Sequence, residues 1–125
     1  MRQVFAVVLS LAVAAAAQAQ SALKPPSESV LDRFLRYVKI DTQSQEDQTT
    51  TPSTRKQLNL ANLLAKELTA LGAQNVRVSE FGIVYATVPG NLADNSKVPV
   101  IGFIAHMDTS PAVSGENVNP IIHKN

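Results

Sequence analysis

Apolar residues recur along this chain at two different spacings, and the change from one to the other marks out its elements. Val30, Leu31, Phe34, Leu35 and Val38 recur at helical spacing. With Ser29 placed to cap and Asp32 in the first turn, they predict a first helix ending near Ile40. The polar run DTQSQEDQTTTPST comes next and reads as a loop. A second helix is predicted after it, with Thr54 as its cap and Gln57 three residues on in capping-box position. Leu60, Leu64, Leu68 and Leu71 form its core row, Ala61 and Leu63 widen the stripe, and Gly72 is suited to the C′ position.

The period then becomes two. Val76 and Val78 alternate with Arg77 and Ser79, and Ile83 to Val88 is a second β-rich run. Phe81-Gly82 between them predicts an antiparallel hairpin. Residues 98–105, VPVIGFIA, are nearly all apolar, which predicts a central strand buried on both faces of a sheet with at least three strands. The order of helix, helix, hairpin and buried strand defines an α/β class, and no internal repeat interrupts it.

The first residues follow a different logic. Arg2 precedes an apolar run from Val4 to Ala17 broken only by Ser10, and Ala17-Gln18-Ala19 offers small residues at an A-x-A site. That is the order of a cleavable secretory signal, cut after Ala19, and it predicts an exported protein, periplasmic or secreted. As a helix the run would span about 21 Å, short of the roughly 30 Å hydrocarbon core, so a membrane anchor is disfavoured and no stable membrane association is expected. The domain reading is therefore a signal peptide at 1–19, a linker at 20–28 containing Pro25-Pro26, and a folded part at 29–125.

The 125 residues are 45% hydrophobic and 17% charged, enough for one domain with a core. Net charge is +1 with Arg2 counted, and ten basic against ten acidic residues without it. Nucleic-acid binding thus has no electrostatic support. Cysteine is absent, so any metal must be held by His and carboxylates.

The candidate chemistry lies at His106 and Asp108, where the predicted buried strand ends. Ligands of open α/β sheets sit beyond the carboxyl ends of strands. Two residues apart in extended chain, both side chains leave one face. The pair reads as a metal-ligating imidazole with a carboxylate that orients it, or as two ligands. Spacing alone equally allows a structural His bonded to backbone, with Asp108 capping the Thr109-Ser110-Pro111 turn.

The residues around the pair narrow the choice. GFIAHMDTSP, followed by SGENVNP at 114–120, resembles the peptidase T family of tripeptide aminopeptidases, within the superfamily of two-zinc aminopeptidases, carboxypeptidases and deacylases. LDRFLRYVKIDTQS, the TPST-x-x-Q region and LGAQNVRVSEFG resemble the same family in the expected order, so the likeness runs from about Val30 to Pro120. The resemblance implies the first part of a zinc-peptidase catalytic domain. His106 would be a terminal zinc ligand and Asp108 the catalytic carboxylate that clamps it. Two zinc ions would serve as cofactor, with a short peptide as substrate and a homodimer open to the complete enzyme. The reaction implied is release of the N-terminal residue by metal-activated water. The bridging aspartate, the glutamate base and the other ligands of the family fall beyond Asn125, so the chain reads as an N-terminal fragment, inactive alone.

Familiar members of this branch are cytoplasmic, whereas residues 1–19 point to export. Two alternatives stay open: a carboxypeptidase or N-acyl-amino-acid deacylase of the same superfamily, and a non-catalytic exported binding module. Other polar residues have local explanations. Asp41-Thr42-Gln43-Ser44 reads as helix-to-loop backbone bonding. Asn117 and Asn119 read as turn formers or as the border of a pocket, and His123 matches no ligand.

Overall fold

The computed structural model describes residues 23–124. Two helices and a two-stranded antiparallel sheet make up its regular structure: α1 (Val30–Tyr37), α2 (Gln57–Ala70), β1 (Gln74–Val78) and β2 (Val84–Thr87). The mixed α/β class is therefore observed. Among the described residues no helix is long and apolar enough to cross a membrane. The signal-peptide reading falls on residues 1–19, outside the described part, and so do the first residues of the 20–28 linker. Residues 23–27 of that linker are exposed and irregular, with Lys24 N–H donating to the Leu71 carbonyl at 2.9 Å.

α1 starts as its sequence dictates. The Ser29 hydroxyl accepts from the Asp32 N–H at 3.1 Å, satisfying one of the orphan donors of the first turn. The helix stops at Tyr37, short of Ile40, and none of its residues is buried. Polar bonds tie it to α2 instead. Arg36 reaches Glu67 at 2.5 Å and Glu28 at 2.5 Å, and the Tyr37 hydroxyl donates to the other Glu67 oxygen. Burial pushes the Glu67 carboxyl up, but its bonds to Arg36 and Tyr37 outweigh that and hold it below the ordinary glutamate range.

The start of α2 departs from the expected capping box. Its N-cap is Lys56, with no side-chain cap bond. The Thr54 hydroxyl is directed instead to the Gln43 carbonyl, to which it donates at 2.7 Å. The C-terminus is a Schellman motif: Gly72 N–H donates to the Thr69 carbonyl and Ala73 N–H to that of Leu68, each at 3.0 Å. Gly72 has φ 93°, a conformation costly for any residue with a Cβ.

The hairpin forms where the period-two pattern predicted, with Arg77 opposite Tyr85 and Val78 opposite Val84. A bulge lies between Gln74 and Arg77, where Asn75 adopts φ 52°. The Arg77 guanidinium sits 3.9 Å from the Tyr85 ring centroid, a cross-strand cation–π pair. At the turn, Ser79 N–H donates to Ile83 and Gly82 N–H to Ser79. Gly82, with φ +76°, lies against Pro52 and Leu58, and an added Cβ would come within 3.3 Å of Pro52.

Two expectations are corrected. Of the leucine row only Leu60 is buried, at 7% exposure, beside Ala61 at 0%. Leu64, Leu68 and Leu71 are half-buried because their face opens onto a cleft. Residues 98–105 form no strand: they are exposed throughout, with Ile104 at 100%. A strand is a pairing between segments and not a property of one segment, and no described segment pairs with this one. The sheet accordingly has two strands, where at least three were expected.

Two measurements test this packing. Leu60→Ala should lower the unfolding free energy by about 2–3 kcal/mol, the low end for a buried leucine because the neighbouring cleft lets the site relax. Urea titration reads it. For Glu67, a depressed folded pKa means its contribution is present above the ordinary glutamate value of about 4.3 and is lost as pH falls through the lower folded value. Glu67→Gln should flatten the fall in stability below about pH 4.5 relative to the parent, as read by thermal unfolding across pH 3–6.

Candidate functional site

His106 comes directly after the extended apolar segment, and its side chain is 85% exposed. The ring is nevertheless held. Nδ1 lies 3.0 Å from the main-chain oxygen of Asp108 and 3.2 Å from Asp108 Oδ1. Both neighbours accept hydrogen bonds only, so Nδ1 carries the proton and Nε2 presents its lone pair outward. A carboxylate on one ring nitrogen and a free lone pair on the other is the arrangement that suits an imidazole to bind a metal. The two predicted site residues thus meet. His123 is exposed and apart from them, and Asn117 takes φ 53° in a turn, in line with its turn-forming reading.

The loop after Asp108 is fixed by residues 41–44. An isolated parallel bridge joins Gln43 to Thr109: the Thr109 N–H donates to Thr42 at 3.2 Å and the Thr109 carbonyl accepts from Ser44 N–H at 2.9 Å. The Ser44 hydroxyl donates to the same carbonyl at 2.8 Å, and Thr42 is 3% exposed. Gln43 Nε2 donates to the carbonyls of Pro111 and Val113, at 3.0 and 2.9 Å.

Lys56, at the head of α2, donates to Asp41 Oδ2 at 2.7 Å and to Gln43 Oε1 at 3.2 Å. The Lys56 ammonium, with the Gln43 N–H, holds the Asp41 carboxyl below its ordinary value. Local backbone bonding therefore explains one contact of the Asp41–Ser44 run, Gln43 N–H to Asp41. The rest join it to more distant residues, and Gln43 and Lys56 were not legible as site residues. No sequence spacing links position 43 to 109.

A cleft of about 840 Å³ adjoins the pair. Tyr37, Leu64, Leu68, Phe81 and Ile83 wall it, and it reaches His106, Met107 and Asp108. Among the described residues no group of three or more His, Cys, Asp or Glu side chains could hold a metal ion. His106 and Asp108 fit one ligand and its orienting carboxylate, not a closed metal site.

A mixed α/β frame carrying an orientable imidazole beside a cleft defines a candidate hydrolase-type site, and the chain's relatives are peptidases. Over about four fifths of its length the chain shares half or more of its residues with its peptidase T homologues. It is 52% identical over 98 residues to peptidase T of Listeria innocua, 59% over 97 residues to that of Desulfitobacterium hafniense strain Y51, and 54% over 95 residues to that of Clostridium botulinum strain Langeland. These matches cover 76–78% of this chain and 23% of each relative, so the chain spans about a quarter of their length. No family model matches the chain.

The matches correct the expectation of export. Peptidase T relatives from Listeria, Desulfitobacterium and Clostridium point away from an exported enzyme. A charged residue, an apolar run and two small residues form a compositional pattern that an apolar N-terminus can meet without being a signal.

The exposed ring gives a direct check. His106→Ala should leave the thermal midpoint unchanged within error, because no packing is lost. A drop of several degrees would show that the ring is structural.

Proposed function

We propose that residues 29–125 form the N-terminal part of the catalytic domain of a peptidase T-type aminopeptidase, which releases the N-terminal residue of tripeptides or short peptides. The observation that carries this reading is the His106–Asp108 pair within a sequence more than half identical to peptidase T. His106 contributes Nε2 as a metal ligand. Asp108 accepts from Nδ1–H, which fixes the tautomer and makes the ring a better donor. Two zinc ions held with the help of His106 would supply polarisation of the scissile carbonyl and acidify a water. The apolar walls of the cleft exclude water on one side and receive substrate side chains. Peptides are the partners, with no role for nucleic acid or a membrane. A homodimer is part of the same reading for the complete enzyme.

In an enzyme of full peptidase T length carrying this sequence, His106→Ala should abolish release of the N-terminal residue from a tripeptide and reduce bound zinc. Unchanged turnover and zinc content would refute the assignment. The 125-residue chain alone, with one ligand and one orienting carboxylate, should hydrolyse no tripeptide. Chelator-sensitive hydrolysis by it would overturn that expectation.

A further inference from the structure

Gln43 is partnered at every polar atom. Its N–H donates to Asp41 and its carbonyl accepts from Thr54. Its side-chain oxygen accepts from Lys56, and its amide nitrogen donates to Pro111 and Val113. The partners settle the orientation of the amide, since two carbonyls face the nitrogen and an ammonium faces the oxygen. Lys56 also holds Asp41, whose other oxygen lies where a side chain at position 115 would go. A Cβ on Gly115 would collide with Asp41 Oδ1. One clasp therefore joins the head of α2, the 41–44 loop and the loop after the candidate site.

The clasp reaches His106 through a rigid unit. The carbonyl of Asp108 and the N–H of Thr109 belong to one planar peptide group. Its N–H is anchored to the Thr42 carbonyl at 3.2 Å, so the direction of the opposite oxygen is fixed. That oxygen lies 3.0 Å from His106 Nδ1. The Gln43 amide holds the loop from the far side, preventing rotation of residues 109–113 about the bridge.

We propose that Gln43, held by Lys56 and Asp41, is a positioning residue that holds the 108–109 peptide and through it the aim of the His106 imidazole, while Asp108 fixes the tautomer. This rests on reading His106 as an Nδ1-protonated ligand. Gln43 touches neither substrate nor metal. It acts through the 108–109 peptide.

The test uses the 125-residue chain with ¹⁵N-labelled histidine, at a pH where the ring is neutral. In the parent chain the His106 ring nitrogens, assigned by the signal lost in His106→Ala, should report mainly the Nδ1–H form. Gln43→Met keeps the volume and removes both donors. Gly115→Ala displaces Asp41 and leaves Gln43 itself intact, so one folded variant is enough. Each should weaken the Nδ1–H bias, by releasing the 108–109 carbonyl, while the backbone amide signals of α2 and the hairpin stay in place. A bias retained in a variant whose 109–115 amides have shifted would overturn the proposal and leave the ligand reading intact. A parent chain without the bias would overturn the ligand reading, and the proposal with it.

Discussion

The short parallel bridge between Gln43 and Thr109 is the constraint on which the candidate site depends. It joins segments more than sixty residues apart, and little else holds the second of them. Residues 98–105 bond to no described strand, so the segment carrying His106 gains its position from the loop on its C-terminal side. A charge-assisted bond reinforces the bridge: Lys56 on Asp41 at 2.7 Å, with Gln43 saturated between them. A polar device succeeds where packing is thin because direction, not area, is what orients an exposed imidazole. Dispersion and burial are non-directional, whereas two hydrogen bonds on one peptide group define a plane.

The same division of labour runs through the fold. α2 and the hairpin form the apolar unit, with Leu60 and Ala61 at its centre. α1 buries none of its own residues and is held by Arg36, Tyr37, Glu28 and Glu67. Those bonds shift the Glu67 carboxyl downward against the effect of its own burial, which makes the α1–α2 contact an acid-sensitive joint. The half-buried leucines of α2 face the cleft beside His106, so the helix that anchors the clasp at Lys56 also supplies an apolar wall of the site.

Much of the local structure was legible from residue order. Ser29 caps α1, Gly72 closes α2 at positive φ, and the hairpin turns around Phe81-Gly82, because each depends on groups within a few residues. Thr54 shows where such reasoning stops. Its capping signature was sound, yet its hydroxyl points to the Gln43 carbonyl, and α2 starts at Lys56 with no side-chain cap bond. The VPVIGFIA segment fails for a related reason: apolar composition marks a segment able to pair, and pairing needs a partner in space.

The residues by themselves determined the mixed α/β class, the helices and hairpin, and the His106–Asp108 pair with its peptidase T surroundings, because all of these are carried by short-range spacing and by wording along the chain. Only the tertiary structure decided which leucines are buried, and that Gln43 and Lys56 join the head of α2 to the loop after Asp108. Those outcomes are set by contacts between segments far apart in sequence, and a hydrogen bond across such a distance leaves no periodic mark on the chain that makes it.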